Sequence, residues 1–128
     1  MDAKNRKNIL ILDPERDTAE LFARALESHQ SCKCYWVKTP PEARSLLSEI
    51  PFSFLLADIA TLLQDHFLLL DAIQELDCDT MVIVDGYLNE KENVKKALEK
   101  GACGYFIKPI MVNSLRKIID DFSVSART

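Results

Sequence analysis

Three aspartates hold equivalent places in the chain. Asp13 closes the apolar run 9–12, Asp58 closes the run 52–57 and Asp85 closes the run 81–84, while Lys108 follows a fifth run, 105–107, and precedes Pro109. Runs that are apolar at consecutive positions suit strands buried on both faces, as in a parallel sheet, so a charge at the end of each run belongs at the sheet's edge. Carboxylates gathered at one edge repel, which raises the pKa of at least one unless a cation enters or Lys108 compensates. Hard oxygen ligands suit Mg²⁺. Such an ion beside an aspartate is the arrangement in which a carboxylate accepts a phosphoryl group, the metal and an ammonium neutralising the transferring oxygens. Any one of these acids alone reads better as a helix cap or a solvated group. Four charged residues at equivalent positions read as a site.

The elements that must position them alternate along the chain. After the first strand, Leu21, Phe22, Ala25 and Leu26 mark a helix face, with Asp17 and Glu20 spaced as a capping box. A short strand at 34–37 leads to Thr39-Pro40-Pro41-Glu42, a second capping box with proline at the first helical position. Ala43, Leu46, Leu47 and Ile50 then recur at helical spacing. Beyond Asp58 a loop is expected as far as Asp65, then a third helix with Leu69, Ile73 and Leu76 on one face. Val94, Ala97 and Leu98 define a fourth helix that stops at Gly101, where glycine can take the left-handed conformation. Leu115, Ile118, Ile119 and Phe122 make the fifth. Five β-α units predict a parallel α/β sheet with right-handed crossovers and helices on both faces. All strand C-termini then share one edge, where Asp13, Asp58, Asp85 and Lys108 converge.

At 128 residues, 48% hydrophobic and 28% charged, with 3 Gly and 5 Pro, the chain is expected to be one globular domain spanning 1–128. Its core is expected at about 7–123, between short polar tails. A net charge of −4 argues against a nucleic-acid or anionic-membrane surface. Residues 1–8 are mostly polar and the following apolar run has four residues, which fits neither a signal peptide nor a membrane span, so a cytoplasmic location is expected. Cys32, Cys34, Cys78 and Cys103 include one C-x-C pair. With no second pair, and with His29 and His66 far apart, reduced structural thiols are expected rather than a zinc set.

The stretches ILILDPE, FLLAD and GACGYFIKPI, with Asp65 seven residues after Asp58, carry a family resemblance. Over about 7–123 the chain resembles the receiver domain of bacterial two-component response regulators, whose flavodoxin-like (βα)5 fold has strand order 2-1-3-4-5. The resemblance implies Asp58 as phosphoacceptor in a phosphorelay, supplied by a sensor histidine kinase or a phosphotransfer protein. It implies Lys108 as the phosphoryl contact, before a peptide bond to Pro109 that is usually cis. Asp13 and Asp58 would serve Mg²⁺, and Asp85 and Tyr105 fall at the switch positions. It further implies a signalling module rather than an enzyme, and a homodimer through the fourth and fifth helices.

The chain also departs from that pattern. Pro14 stands where relatives carry a second acid, so a metal site loses about one unit of charge and Mg²⁺ binding is weakened. Glu15, one residue further on, is a candidate ligand. Asp85-Gly86 replaces a Thr or Ser followed by a small residue. Asp85 either supplies the carboxylate that Pro14 removes or pairs with Lys108, in which case the ammonium should lower its pKa. Leu62 replaces a proline, His66 replaces a glycine and reads as a solvated histidine, and the apolar stretch 59–63 is expected to tuck against the third helix rather than form a docking patch. Two versions of the function follow: a working phosphorylation switch, and a divergent receiver used for docking without phosphorylation. The alternative from another class is a flavodoxin-like metal-dependent phosphatase or small-ligand-binding protein. ILDPERD lacks the Ser/Thr/Gly-rich phosphate loop of a flavin binder, and Glu15 is an imperfect second acid for a phosphatase.

Overall fold

The computed structural model describes residues 6–28, 32–76 and 78–127, so His29 lies outside the described residues. The chain runs β1 (Lys7–Leu12), α1 (Arg16–Glu27), β2 (Cys32–Val37), α2 (Pro40–Glu49), β3 (Phe54–Asp58), α3 (Ile59–Gln64), α4 (Leu68–Glu75), β4 (Met81–Gly86), a 3₁₀ turn (Leu88–Glu90), α5 (Lys91–Glu99), β5 (Gly104–Ile107) and α6 (Val112–Arg127). The strands form one parallel sheet in the order β2-β1-β3-β4-β5. This is the flavodoxin-like order that the resemblance implied.

Alternation along the strands explains why their sequences are apolar throughout. Ile9, Ile11, Leu56, Ile83 and Phe106 face α1 and α6, where Ala19, Phe22, Leu26, Leu115 and Ile119 cover them. Leu10, Leu12, Leu55, Val82 and Val84 face the other way, against Ala43 and Leu47 of α2, Leu69 and Ile73 of α4, and Val94 and Ala97 of α5. Both sides of the sheet are therefore core. Each fully buried aliphatic side chain contributes about 1.5–3 kcal/mol, which is what lets the strand tips carry unfavourable acids.

Local signals decide the start of α2 and the end of α5. The Thr39 hydroxyl accepts the Glu42 N–H at 3.4 Å and donates to its carboxylate at 2.9 Å, and Pro40 opens α2. Gly101 follows α5 with φ 110°. Two expectations are corrected. The first residue of α1 is Arg16, with Glu15 in the cap position and no side-chain cap. Asp17 thus lies inside the first turn, where its charge favours the helix dipole without capping it. The expected loop after Asp58 is the helix α3, with Ile59 and Leu62 fully buried, so the stretch does tuck inward. The four cysteines are unpaired, and burial pushes the Cys34 thiol up to about 12, which leaves it an inert apolar group. Among the described residues no helix is long and apolar enough to cross a membrane.

Candidate functional site

The sheet register brings the acids together. Asp58 and Asp85 are partners across β3 and β4, and Asp13 follows β1 on the other side of β3. All three are buried, as is Lys108, which arrives from β5. The Lys108 backbone N–H donates to the Gly86 carbonyl at 2.8 Å, and the Lys108–Pro109 peptide is cis. This anchoring turns the ammonium inward. Its Nζ lies 2.9 Å from Asp58 Oδ1, 3.2 Å from Asp85 Oδ1 and 3.5 Å from Asp13 Oδ2. The half-exposed Tyr87 ring sits over the same nitrogen, 5.0 Å from centroid to Nζ.

The three acids are held differently. Asp13 Oδ1 accepts the Glu15 N–H at 2.8 Å, a local turn, and the Asp13 carbonyl accepts Trp36 Nε1 at 2.8 Å. Asp58 Oδ2 accepts both the Thr61 N–H at 3.0 Å and the Thr61 hydroxyl at 2.7 Å, so Asp58 is the N-cap of α3. Asp85 has neither oxygen hydrogen-bonded, although both are buried and Lys108 is within ion-pair distance.

Burial pushes the Asp85 carboxyl up to about 7, over the opposing pull of Lys108 and with Asp13 and Asp58 adding to the rise. Pairing with Lys108 therefore occurs, but the expected lowering does not, because desolvation of a carboxylate without hydrogen bonds outweighs one ammonium shared among three acids. Asp13 is also raised, again chiefly by burial. Burial pulls Lys108 down, yet Asp85, Asp58 and Asp13 together carry it above the ordinary lysine range. Of the cluster, Asp85 is the acid whose rise reaches neutrality.

One carboxylate oxygen from each of Asp13, Asp58 and Asp85 lies within 4.8 Å of the others. Hard donors at that spacing, with Asp85 lacking hydrogen bonds, fit a small divalent cation such as Mg²⁺. Those three residues would hold it, and it would supply charge neutralisation for a phosphoryl group. Glu15 is exposed and is not among the clustered residues. Pro14 is exposed and offers no ligand. Tyr105 pairs in register with Val84, one residue before Asp85, and is about half exposed at 52%. His66 is exposed, and Asp65 does not join the cluster.

Two residues near the site, Thr61 and Tyr87, escaped the sequence reading, and the small residue after Asp85 gains a structural reason. Thr61 stands three residues after Asp58, where an N-cap side chain meets a backbone N–H, but that spacing does not depend on the residue type at the third position and the stretch 59–64 shows no helical period to reveal the helix. Gly86 is required because a Cβ there would lie 2.6 Å from Ile59 Cγ2. Nothing in the sequence pointed Tyr87 at Lys108.

A doubly wound parallel α/β sheet with acids and a lysine converging at its C-terminal edge defines the class of receiver folds used in two-component signalling. The chain belongs to the response regulator receiver domain family, whose pattern matches residues 9–120. Solved structures agree on the fold. A two-component response regulator from Clostridium difficile is similar at 20% identity and TM-score 0.86, over 96% of this chain and 100% of that one. The signal receiver domain of a putative Luxo repressor protein from Vibrio parahaemolyticus is similar at 19% identity and TM-score 0.84, over 95% and 93%. A response regulator from Thermotoga maritima is similar at 22% identity and TM-score 0.81, over 91% and 96%. No curated protein matches the sequence.

Proposed function

We propose that the chain is a phosphorylation-responsive receiver in which Asp58 accepts a phosphoryl group from a histidine kinase or phosphotransfer protein. The observation that carries this reading is the Asp58 carboxylate 2.9 Å from the Lys108 ammonium at the C-terminal edge of the sheet, flanked by Asp13 and Asp85. On this reading Lys108 neutralises the transferring oxygens, and the three acids hold a divalent cation that does the same. Asp85 stands in for the acid that Pro14 replaces. The change of the interaction face that follows phosphorylation is the output of the module.

A second reading, docking without phosphorylation, is favoured by a specific observation: both Asp58 oxygens are already engaged, one by Lys108 and one by Thr61. Intact-protein mass after incubation with acetyl phosphate separates the two, with and without Mg²⁺ and beside Asp58→Asn. A metal-dependent adduct absent from Asp58→Asn supports phosphoryl acceptance. No adduct under conditions that modify an ordinary receiver supports docking.

A further inference from the structure

Asp58 does two jobs that its chemistry sets against each other. One oxygen faces Lys108, and the other accepts both donors of Thr61, itself 2% exposed and so shielded from competing water. The helix that this cap begins, α3, has six residues, fewer than propensity alone sustains. Its far end is a turn in which His66 (φ 56°) and Phe67 (φ 62°) are both left-handed, a conformation that residues with a Cβ adopt at a cost. The Phe67 N–H reaches back to the Leu62 carbonyl at 3.0 Å, and its ring is buried in the core. At the near end Ile59 presses on Gly86 at the end of β4. A charged cap and a strained turn thus hold α3 between them.

We propose that Thr61 is a positioning residue that holds the Asp58 carboxylate at rest, and that phosphorylation of Asp58 releases the first turn of α3. The inference rests on the reading of Asp58 as phosphoacceptor. In the transfer a carboxylate oxygen of Asp58 forms a P–O bond while the P–N bond of a donor phosphohistidine breaks. The donor imidazole keeps the bonding pair and takes a solvent proton. Attack through Oδ1, the oxygen that faces Lys108, makes an acyl phosphate in which Oδ2 is left as a neutral carbonyl oxygen before Thr61, and the charge moves to phosphoryl oxygens on the Lys108 side. A neutral acceptor holds the α3 donors far more weakly than a carboxylate does. The cap is lost, the left-handed turn can relax, and the exposed Leu63 and Leu68 at the junction of α3 with α4 form the surface that changes.

The test uses the whole chain with acetyl phosphate and Mg²⁺, read by adduct formation rate and by amide hydrogen exchange at residues 61–64. Thr61→Val keeps the shape and the backbone donor but loses the hydroxyl, and it should react about tenfold faster than the parent. Thr61→Ser should behave as the parent. Exchange at 61–64 should rise about tenfold in the parent adduct, and also in Asp58→Ala without any phosphodonor. Equal rates in the parent and Thr61→Val, or unchanged exchange in the adduct, overturn the inference and leave Asp58 as phosphoacceptor. Unchanged exchange in Asp58→Ala overturns it as well. No adduct on any variant overturns the phosphoacceptor reading and the gate together, while faster exchange in Asp58→Ala would then leave a purely structural cap.

Discussion

Asp58 and Asp85 face each other in register on adjacent strands, both buried and both within 3.2 Å of the same ammonium, yet their surroundings differ. Asp58 has three donors: Lys108, the Thr61 N–H and the Thr61 hydroxyl. Asp85 has no hydrogen bond, and burial pushes its carboxyl up to about 7. The contrast shows that proximity to a cation does not fix the state of a buried acid. What decides is whether hydrogen bonds replace the water that burial removes. One strand tip carries an acid supplied with hydrogen-bond donors, and the other carries an acid with none, whose carboxyl burial pushes up.

The largest effect should come from removing the ammonium both acids share. Lys108→Met leaves three buried carboxylates without their cation, and urea unfolding at about pH 8 should show a loss of about 3–5 kcal/mol. The loss should shrink toward acid pH as the carboxyls protonate. A uniform loss at every pH would mean that packing, not charge, is what Lys108 supplies.

The second effect is a slope. The Asp85 carboxyl is raised from 3.8 to about 7, so between those values the folded protein holds a proton that the unfolded chain releases. Its stabilising contribution is full below about pH 4 and is lost as pH rises through about 7, at up to about 1.4 kcal/mol per pH unit. Asp13 shifts the same way, while Lys108, raised above its ordinary value, is lost only at alkaline pH. Asp85→Asn should flatten the decline between pH 4 and pH 7 seen by urea unfolding. An unchanged slope would assign the proton elsewhere.

Smaller changes sharpen the comparison. Thr61→Val removes one charge-assisted donor from Asp58 and should cost about 1.5 kcal/mol in thermal or urea unfolding, with Thr61→Ser restoring most of it. At the low end, Arg16 and Glu20 make an exposed ion pair at 2.9 Å, the same distance as Lys108 to Asp58. Glu20→Gln should change stability by less than about 0.5 kcal/mol, because water screens what it cannot reach at Lys108.

Much of this was legible in the residues. Two-sided apolar runs ending in Asp13, Asp58 and Asp85 are enough to place three acids on one edge, and the segment from Gly101 to Pro109 locates Lys108 beside them. The Thr39 cap and the Gly101 stop could be read directly, since both depend on near neighbours in the chain. The start of α1 was misplaced because Asp17 and Glu20 have capping-box spacing, while Asp13 has already drawn the Glu15 N–H into its own turn. The helix α3 was hidden because six residues, apolar on most sides, show no period. Crowding already called for a raised acid, but that Asp85 rises despite its ion pair with Lys108 depends on depth and missing donors, which no spacing records.

The central claim is that, of the paired aspartates, Asp58 takes the phosphoryl group. It is tested most directly by treating the protein with acetyl phosphate and Mg²⁺, reducing it with borohydride, which converts an acyl-phosphorylated aspartate to homoserine, and sequencing the peptides by mass spectrometry. The account predicts homoserine at position 58 alone. Homoserine at position 85 or 13, or at none of the three, would contradict it.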